Sequence, residues 1–183
     1  MSFVITGSPG VGKHTITKEI SRLLNLPVFD INEIAKEGKL FEKMVETNEV
    51  DVEKLEKIIK EKILYPSIIV GHLAPYVLTS DQIKKVIVLR KNPYDLIPIY
   101  KNREYSNEKI KDNIGSEVLG VILYDTITKF GTNKTIQVDI TGKSVEESTK
   151  IVMDGIKGKI DSEQIDWLSV FSEKNDLKEF FAY

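Results

Sequence analysis

The apolar residues of this 183-residue chain follow two patterns, short continuous runs and longer segments in which they recur every three or four residues. The continuous runs predict strands buried on both faces, and the periodic segments predict amphipathic helices. Five strands are predicted, at residues 3–5, 27–30, 67–70, 85–89 and 134–138. Since helical segments separate them, the pattern predicts an α/β fold with a five-stranded parallel sheet flanked by helices.

The periodic segments predict one helix after residue 12 and others at residues 31–40, 52–64, 93–102, 107–129 and 144–158. Ser106 is the expected N-cap of the helix at 107–129, and Ser144 with Glu147 forms a capping box for the last one. Residues 41–48 are a charged connection without a strong pattern. The aromatic residues of the tail, 160–183, are expected to pack on the body rather than bind a partner.

The first strand runs directly into Gly7-Ser8-Pro9-Gly10-Val11-Gly12-Lys13, and a helical pattern follows. Glycines let backbone N–H groups converge on an anion at the positive end of a helix, and Lys13 adds a cation. This order of strand, glycine loop and helix predicts a P-loop that binds phosphate. A glycine turn without a ligand is the alternative.

The residue after Lys13 is His14, at the position where many P-loop proteins carry the hydroxyl that holds magnesium. The hydroxyl comes one place later, at Thr15. This spacing resembles that of adenylate kinases, whose magnesium is held largely through waters. The departure therefore favours a nucleotide kinase.

Four further candidate side chains lie at the ends of predicted strands, which face the ligand in this class of fold. Asp30 is expected to order magnesium-bound waters or to be a solvated loop residue. His72 is a catalytic or phosphate-facing group, or a histidine capped by a backbone carbonyl. Arg90 and Arg103 follow the fourth strand and are expected to stabilise charge on the moving phosphoryl group, with a surface ion pair as the alternative.

Composition narrows the class of protein. With 41% hydrophobic residues, the chain can bury one core, so residues 1–183 are expected to form a single domain. A net charge of −2 argues against a protein that coats nucleic acid. Since the sequence has no cysteine and no long apolar run, we expect a cytoplasmic protein without a membrane span or a thiolate metal site.

Several motifs together resemble one family, the isoenzyme-six-type adenylate kinases, also described as coilin-interacting nuclear ATPases, and the tail is most similar to archaeal members. The motifs are GSPGVGK, VGHLAPYV, VIVLRKNP, NREYSNEKIKDNIGSEVL, QVDITGKSVEE and IDW. The resemblance implies a compact nucleoside monophosphate kinase that transfers the terminal phosphate of ATP to AMP with Mg²⁺ and also hydrolyses ATP. It further implies a role in small ribosomal subunit maturation, with binding to a platform ribosomal protein of universal family eleven and to the pre-ribosomal small subunit.

The resemblance also implies roles for particular positions. The ATP phosphates would be held by Gly10, Val11, Gly12, Lys13, His14 and Thr15. Residues 30–52 would form a flap that binds the acceptor, and residues 102–112 a lid whose Arg103 reaches ATP. Lys36 stands where some relatives carry an arginine that contacts the acceptor. Val70 replaces the Asp of an Asp-x-His motif, which is expected to weaken magnesium ordering, while His72 retains the His.

Two other functions stay open at this point. The first is a nucleotide-gated binding factor for ribosome assembly with little turnover, suggested by Val70 and His14. The second is a kinase of a small metabolite, of the shikimate type, suggested by Asp30; the segment 105–117 argues against it. In the kinase reaction AMP needs no general base, whereas in hydrolysis His72 would orient the water.

Overall fold

A computed structural model of the chain describes residues 1–43 and 48–181. Its strands are β1 (Ser2–Gly7), β2 (Val28–Asp30), β3 (Phe41–Lys43), β4 (Asn48–Val50), β5 (Ile68–Val70), β6 (Ile83–Arg90) and β7 (Thr135–Asp139). Five of them form a parallel sheet in the order β2-β5-β1-β6-β7, with β1 at the centre. The predicted five-stranded parallel sheet is confirmed.

Helices flank this sheet and connect its strands. They are α1 (Lys13–Leu24), α2 (Ile31–Glu37), α3 (Val52–Lys62), α4 (Ala74–Val77), α5 (Pro93–Asn102), α6 (Asn107–Leu119), α7 (Val121–Phe130), α8 (Val145–Ile156), α9 (Trp167–Glu173) and α10 (Leu177–Phe181). The capping box predicted at the start of α8 is present, and Ser106 caps α6 through the amide of Lys109.

The core lies on both faces of the sheet, because neighbouring residues of a strand point to opposite sides. Ile5 belongs to a buried cluster with α1, α8 and the tail, whereas Val4 belongs to a second cluster with α2, α3 and α7. Both side chains are fully buried. As a result β1 is held from both sides, and the loop at its carboxyl end has a fixed base.

The prediction of one long helix over residues 107–129 is wrong. The chain turns at Gly120, whose φ of 66° lies in the left-handed region, so α6 ends at Leu119 and α7 starts at Val121. Glycine adopts this conformation without steric cost and commonly ends helices. The apolar periodicity continues on both sides of the turn and therefore gave no sign of it.

The segment at residues 41–48 also differs from the expectation, since β3 and β4 pair there as a small antiparallel sheet. The pairing joins Phe41 to Val50 and Lys43 to Asn48. Residues 44–47 of the expected flap lie outside the described residues. Residues 30–52, the expected flap, thus contain α2 and a strand pair separate from the central sheet.

The tail packs against the body, as its aromatic residues predicted. Phe171 and Phe180 are buried, and the ring of Phe171 stacks on Tyr94 with centroids 4.4 Å apart. Trp167 and Phe181 pack against the same core cluster. Tyr183, the last aromatic residue of the tail, lies outside the described residues.

Candidate active site

The glycine loop joins β1 to α1 at the carboxyl edge of the sheet. Gly7 has a φ of 142°, and a Cβ there would lie 2.4 Å from the carbonyl oxygen of Leu89, so only glycine fits. Gly12 caps α1 in the left-handed conformation and brings no side-chain hydrogen bond to the first amides of the helix. Those N–H groups therefore remain available to an anion.

Lys13 lies inside the loop. Its side chain is 4% exposed, and its Nζ donates a hydrogen bond to the carbonyl of Ser8 at 3.2 Å. Burial lowers the pKa of Lys13 to about 8, and the charge of Arg103 acts in the same direction, while Asp30 and Glu117 partly oppose it. A bound phosphate would relieve this cost, because its negative charge compensates the buried ammonium group.

The side chains of Asp30 and His14 contact each other beside the loop. The Nε2 atom of His14 lies 2.8 Å from Oδ2 of Asp30, while Oδ1 of Asp30 accepts from the amides of Asn32 and Glu33 and caps α2. Burial acts to raise the pKa of Asp30, but the hydrogen bond and charge of His14 and the two amides outweigh it, so the pKa lies below its ordinary value. Asp30 is thus an ordered carboxylate rather than a solvated loop residue.

A cavity of about 280 Å³ opens in front of the loop, and most of the predicted site residues meet there. Lys13, His14 and Thr15 reach it from α1, His72 from the end of β5, and Arg103 from the end of α5. Its size and its lining of cations and glycine backbone suit the phosphates of a nucleotide more than the whole molecule. The lining residues are Pro9, Gly10, Gly12, Lys13, His14, Thr15, Asn32, His72, Arg103 and Tyr105.

His72 is half-buried in this cavity and faces cations. Burial lowers the pKa of His72 to about 4, and Lys13 and His14 add to the shift, while Asp30 opposes it. The imidazole makes no hydrogen bond with any residue that the structure describes, so the alternative of a histidine capped by a backbone carbonyl is not met. At neutral pH this histidine is uncharged, so one of its ring nitrogens can accept a hydrogen bond.

Arg90 lies away from the cavity. Its guanidinium is buried and donates to Oε1 of Glu117 at 2.7 Å, to the carbonyl of Glu117 at 2.6 Å and to Oε1 of Gln137 at 2.9 Å. With the Nε, Nη1 and Nη2 atoms all bonded inside the protein, the arginine has no path to a phosphoryl group in this arrangement. The alternative prediction for Arg90, a surface ion pair, is also wrong, because the Arg90–Glu117 pair is buried.

Three other predicted residues are not part of the cavity lining. Asp30 contacts the lining residue His14 but is not itself among the lining residues. The side chain of Val11 is buried in the core, so this residue offers only its backbone to a ligand. Lys36 is exposed on the last turn of α2. Any contact of Lys36 with an acceptor would therefore lie outside the phosphate cavity.

Sequence reasoning missed three residues of the site. Asn32 and Tyr105 line the cavity, and Glu117 accepts a hydrogen bond from the hydroxyl of Ser8 in the loop. One signal was available for Glu117, since it falls on the apolar side of α6 between Ile114 and Val118. A carboxylate on a buried helix face requires partners, which here are Arg90 and Ser8.

Comparison with known proteins agrees with this geometry. Residues 4–120 match the family described as "AAA domain". A protein of Pyrococcus furiosus named "Putative adenylate kinase" is 30% identical over 178 residues, which span 94% of each chain. The chain belongs to the same family as this protein. A protein of the same name from Methanocaldococcus jannaschii is 35% identical over 176 residues, 91% of this chain and 93% of that one.

Among solved structures, the shikimate kinase of Aquifex aeolicus superimposes with a TM-score of 0.54 at 20% identity, covering 87% of this chain and 98% of that one. This likeness shows a P-loop kinase fold and carries no information on the acceptor. Among the described residues, no helix is long and apolar enough to cross a membrane. Within the same residues, no three His, Cys, Asp or Glu side chains cluster as a metal site.

Proposed function

We propose that this chain is a nucleoside monophosphate kinase of the isoenzyme-six type that transfers the terminal phosphate of ATP to AMP. The observation that carries the proposal is the convergence of Lys13, Arg103 and His72 on one cavity at the start of α1. Two cations beside free helix amides suit a polyphosphate. The relatives named as adenylate kinases support the reaction class.

The residues divide into a donor side and an acceptor side. The amides of the loop and Lys13 bind the ATP phosphates, and Arg103, carried by the lid at 102–112, stabilises the charge of the transferring group. The acceptor is held by the flap at 30–52, with Lys36 near its phosphate. Because that phosphate is already anionic, the transfer needs no general base.

Kinases of this kind use ATP with a divalent metal, and we propose Mg²⁺. Magnesium keeps several waters and binds substrate phosphates with few protein ligands. The residues present fit such a metal, since Thr15 is exposed and lines the cavity, and the ordered carboxylate of Asp30 lies next to the lining residue His14. These two would hold its waters, and the metal would neutralise charge on the phosphates.

Hydrolysis of ATP is the second activity that we propose, with His72 orienting the attacking water. Its lowered pKa supports this role, because a neutral imidazole accepts a hydrogen bond from water. His72→Ala should reduce ATP hydrolysis by roughly a hundredfold and AMP phosphorylation by much less. The measurement compares both rates on one protein preparation, and equal losses would contradict the division of roles.

The deciding experiment incubates the protein with ATP and Mg²⁺, with and without AMP, and separates the nucleotides by chromatography over time. We expect ADP to form in excess when AMP is present, with AMP consumed. ADP without AMP consumption would indicate an ATPase, and bound ATP without ADP would favour the gated binding factor. A parallel reaction with shikimate tests the metabolite kinase.

The biological setting that we propose is maturation of the small ribosomal subunit, through the platform protein of universal family eleven. The family resemblance supports it, and the acidic pI near 5.8 suits a basic partner. Binding of the purified partner should change with ATP. An affinity that is the same with ATP, with ADP and without nucleotide would contradict a nucleotide-controlled role.

A further inference from the structure

Two buried side chains from outside the P-loop hold it, and they stand on opposite sides of the lid. Tyr100 lies near the end of α5, just before residues 102–112, and Glu117 lies near the end of α6, after them. Tyr100 contacts Pro9, and Glu117 contacts Ser8. Both stems of the lid therefore touch consecutive residues of the loop.

The contact of Tyr100 supports the loop through its backbone. The phenol donates a hydrogen bond to the carbonyl of Pro9 at 2.7 Å, and the ring is fully buried. The next residue, Gly10, lies so close that a Cβ would be 3.2 Å from the ring. Burial raises the pKa of Tyr100, and the nearby Glu117 adds to the shift, so the hydroxyl stays a donor.

The contact of Glu117 supports the loop through a side chain. One carboxylate oxygen accepts from the hydroxyl of Ser8, and the other accepts from Arg90 and from the amide of Lys91. Glu117, Arg90 and Ser8 are each 3% exposed or less. In such a dry site a hydrogen bond to a charged group is strong, and its loss is costly.

We infer that Tyr100 and Glu117 are positioning residues that couple the lid to the phosphate-binding loop. Arg103 lies three residues beyond Tyr100 and lines the same cavity as Lys13. Tyr105 stacks on Tyr100 with centroids 5.6 Å apart, and the ammonium of Lys109 lies 4.3 Å from the Tyr105 ring centroid. A continuous set of contacts thus leads from the loop into the lid.

Phosphate at the loop therefore orders the lid, and a loop without these contacts binds phosphate less well. This inference rests on the proposed function in one respect, that the ligand is ATP. The test uses Tyr100→Phe and Ser8→Ala, each of which removes one hydroxyl. The matched controls are Tyr94→Phe, which loses a 2.5 Å bond to Asp176, and Ser67→Ala, which loses a 3.0 Å bond to Ser2.

Titration calorimetry with ATP, and separately with inorganic triphosphate, gives the dissociation constants. We expect a rise of about threefold to tenfold for Tyr100→Phe and Ser8→Ala, the effect of one buried hydrogen bond. The dissociation constants of the two controls should stay within about twofold of that of the unaltered protein, because substitutions at independent sites do not affect each other. The thermal midpoint of each variant shows how much of any change comes from general destabilisation.

Limited trypsin digestion supplies the readout for coupling, because Lys101, Arg103, Lys109 and Lys111 place cleavage sites in and around the lid. Saturating ATP should protect these sites in the unaltered protein and both controls. Protection should be weaker in Tyr100→Phe and Ser8→Ala, also at saturation. A purely structural role would shift the midpoint and leave protection at saturation unchanged.

The outcomes separate the two proposals. Equal dissociation constants for all four variants, or equal protection, would overturn the coupling. A protein that binds ATP and phosphorylates no acceptor would overturn the kinase proposal, and the coupling would still be judged by binding and protection. A protein that binds neither ATP nor triphosphate would overturn both.

Discussion

The proposed donor side and the proposed acceptor side of the protein are built in different ways. On the donor side, Lys13 is buried, and the loop is held at Ser8 by Glu117 and at Pro9 by Tyr100. On the proposed acceptor side, residues 30–52 begin with Asp30, the cap of α2, expose Lys36 and include a strand pair outside the central sheet. α2 also packs on the core through Ile31, Ile34 and Ala35, but Lys36 on the same helix is exposed, whereas Lys13 is enclosed.

This difference follows from what each side must do. Stabilising charge on a transferring phosphoryl group requires donors that are already in position, which a buried and bonded loop provides. An acceptor must enter and leave, which a binding group on the protein surface, such as Lys36, permits. Substitutions on the donor side should therefore affect stability and activity together, and those on the acceptor side should have small and separable effects.

The largest effect is expected where the donor side meets the core. Arg90→Met leaves the carboxylate of Glu117 buried without its cation, so the free energy of unfolding should fall by roughly 3 to 5 kcal/mol. Adding Glu117→Met removes the stranded charge and should restore most of that loss. Chemical denaturation measures both, with Arg22→Met in the exposed pair with Glu19 as the control. A double variant as unstable as the single one would contradict this explanation.

Much of the fold was predictable from sequence, because it depends on local pattern. The five apolar runs are the five parallel strands, and the order of strand, glycine loop and helix places Lys13 at the cavity. The break at Gly120 was not predictable from periodicity. At the break Gly120 has a φ of 66°, and a Cβ there would be 3.3 Å from Nη1 of the tertiary neighbour Arg90.

The cavity lining was predictable where a residue follows the end of a strand, as His72 does. It was not predictable for Arg90, because whether an arginine after a strand faces ligand or core depends on a partner 27 residues away, Glu117. The same holds for Tyr100, whose partner Pro9 is 91 residues away. Such pairings come from the packing of α5 and α6 on the loop, which one sequence does not encode locally.

The second effect concerns Lys13, whose substitution should change activity and stability in opposite directions. Lys13→Met should lower the rate of phosphoryl transfer by about a hundredfold to a thousandfold, because a cation aimed at the phosphates is lost. The free energy of unfolding at pH 7 should rise, by up to about 3 kcal/mol, since burial has lowered the pKa of Lys13 to about 8. Lys18→Met, on the exposed side of α1, is the control.

The pH dependence gives an independent check on Lys13. The ordinary pKa of a lysine is 10.5, whereas that of Lys13 in the folded protein is about 8. Between these two pH values, Lys13 holds a proton in the unfolded chain that it has released in the folded chain. The stability of the unaltered protein relative to Lys13→Met should therefore rise with pH across that window. A flat difference would contradict the lowered pKa, and a less stable Lys13→Met at pH 7 would show that the buried ammonium is favourable.

The third effect concerns Asp30, which lies between the proposed donor side and the proposed acceptor side. Asp30→Ala removes the cap of α2 and the partner of His14. The free energy of unfolding should fall by about 1 kcal/mol. The Mg²⁺ concentration for half-maximal activity should rise several-fold. Because the pKa of Asp30 is lowered, this stability is present at neutral pH and is lost as the pH falls below the ordinary value near 4. Asp51→Ala, which removes the cap of α3, should leave the Mg²⁺ dependence unchanged.

The smallest effect is expected on the acceptor side. Lys36→Ala removes one exposed charge, so the KM for AMP should rise by about two- to fivefold while kcat and the KM for ATP stay unchanged. Lys60→Ala, exposed on α3, is the control. A KM equal to that of the control would remove Lys36 from the acceptor site. A tenfold or larger rise would contradict the comparison itself, because the acceptor phosphate would then be held by a desolvated contact as strong as those around Lys13.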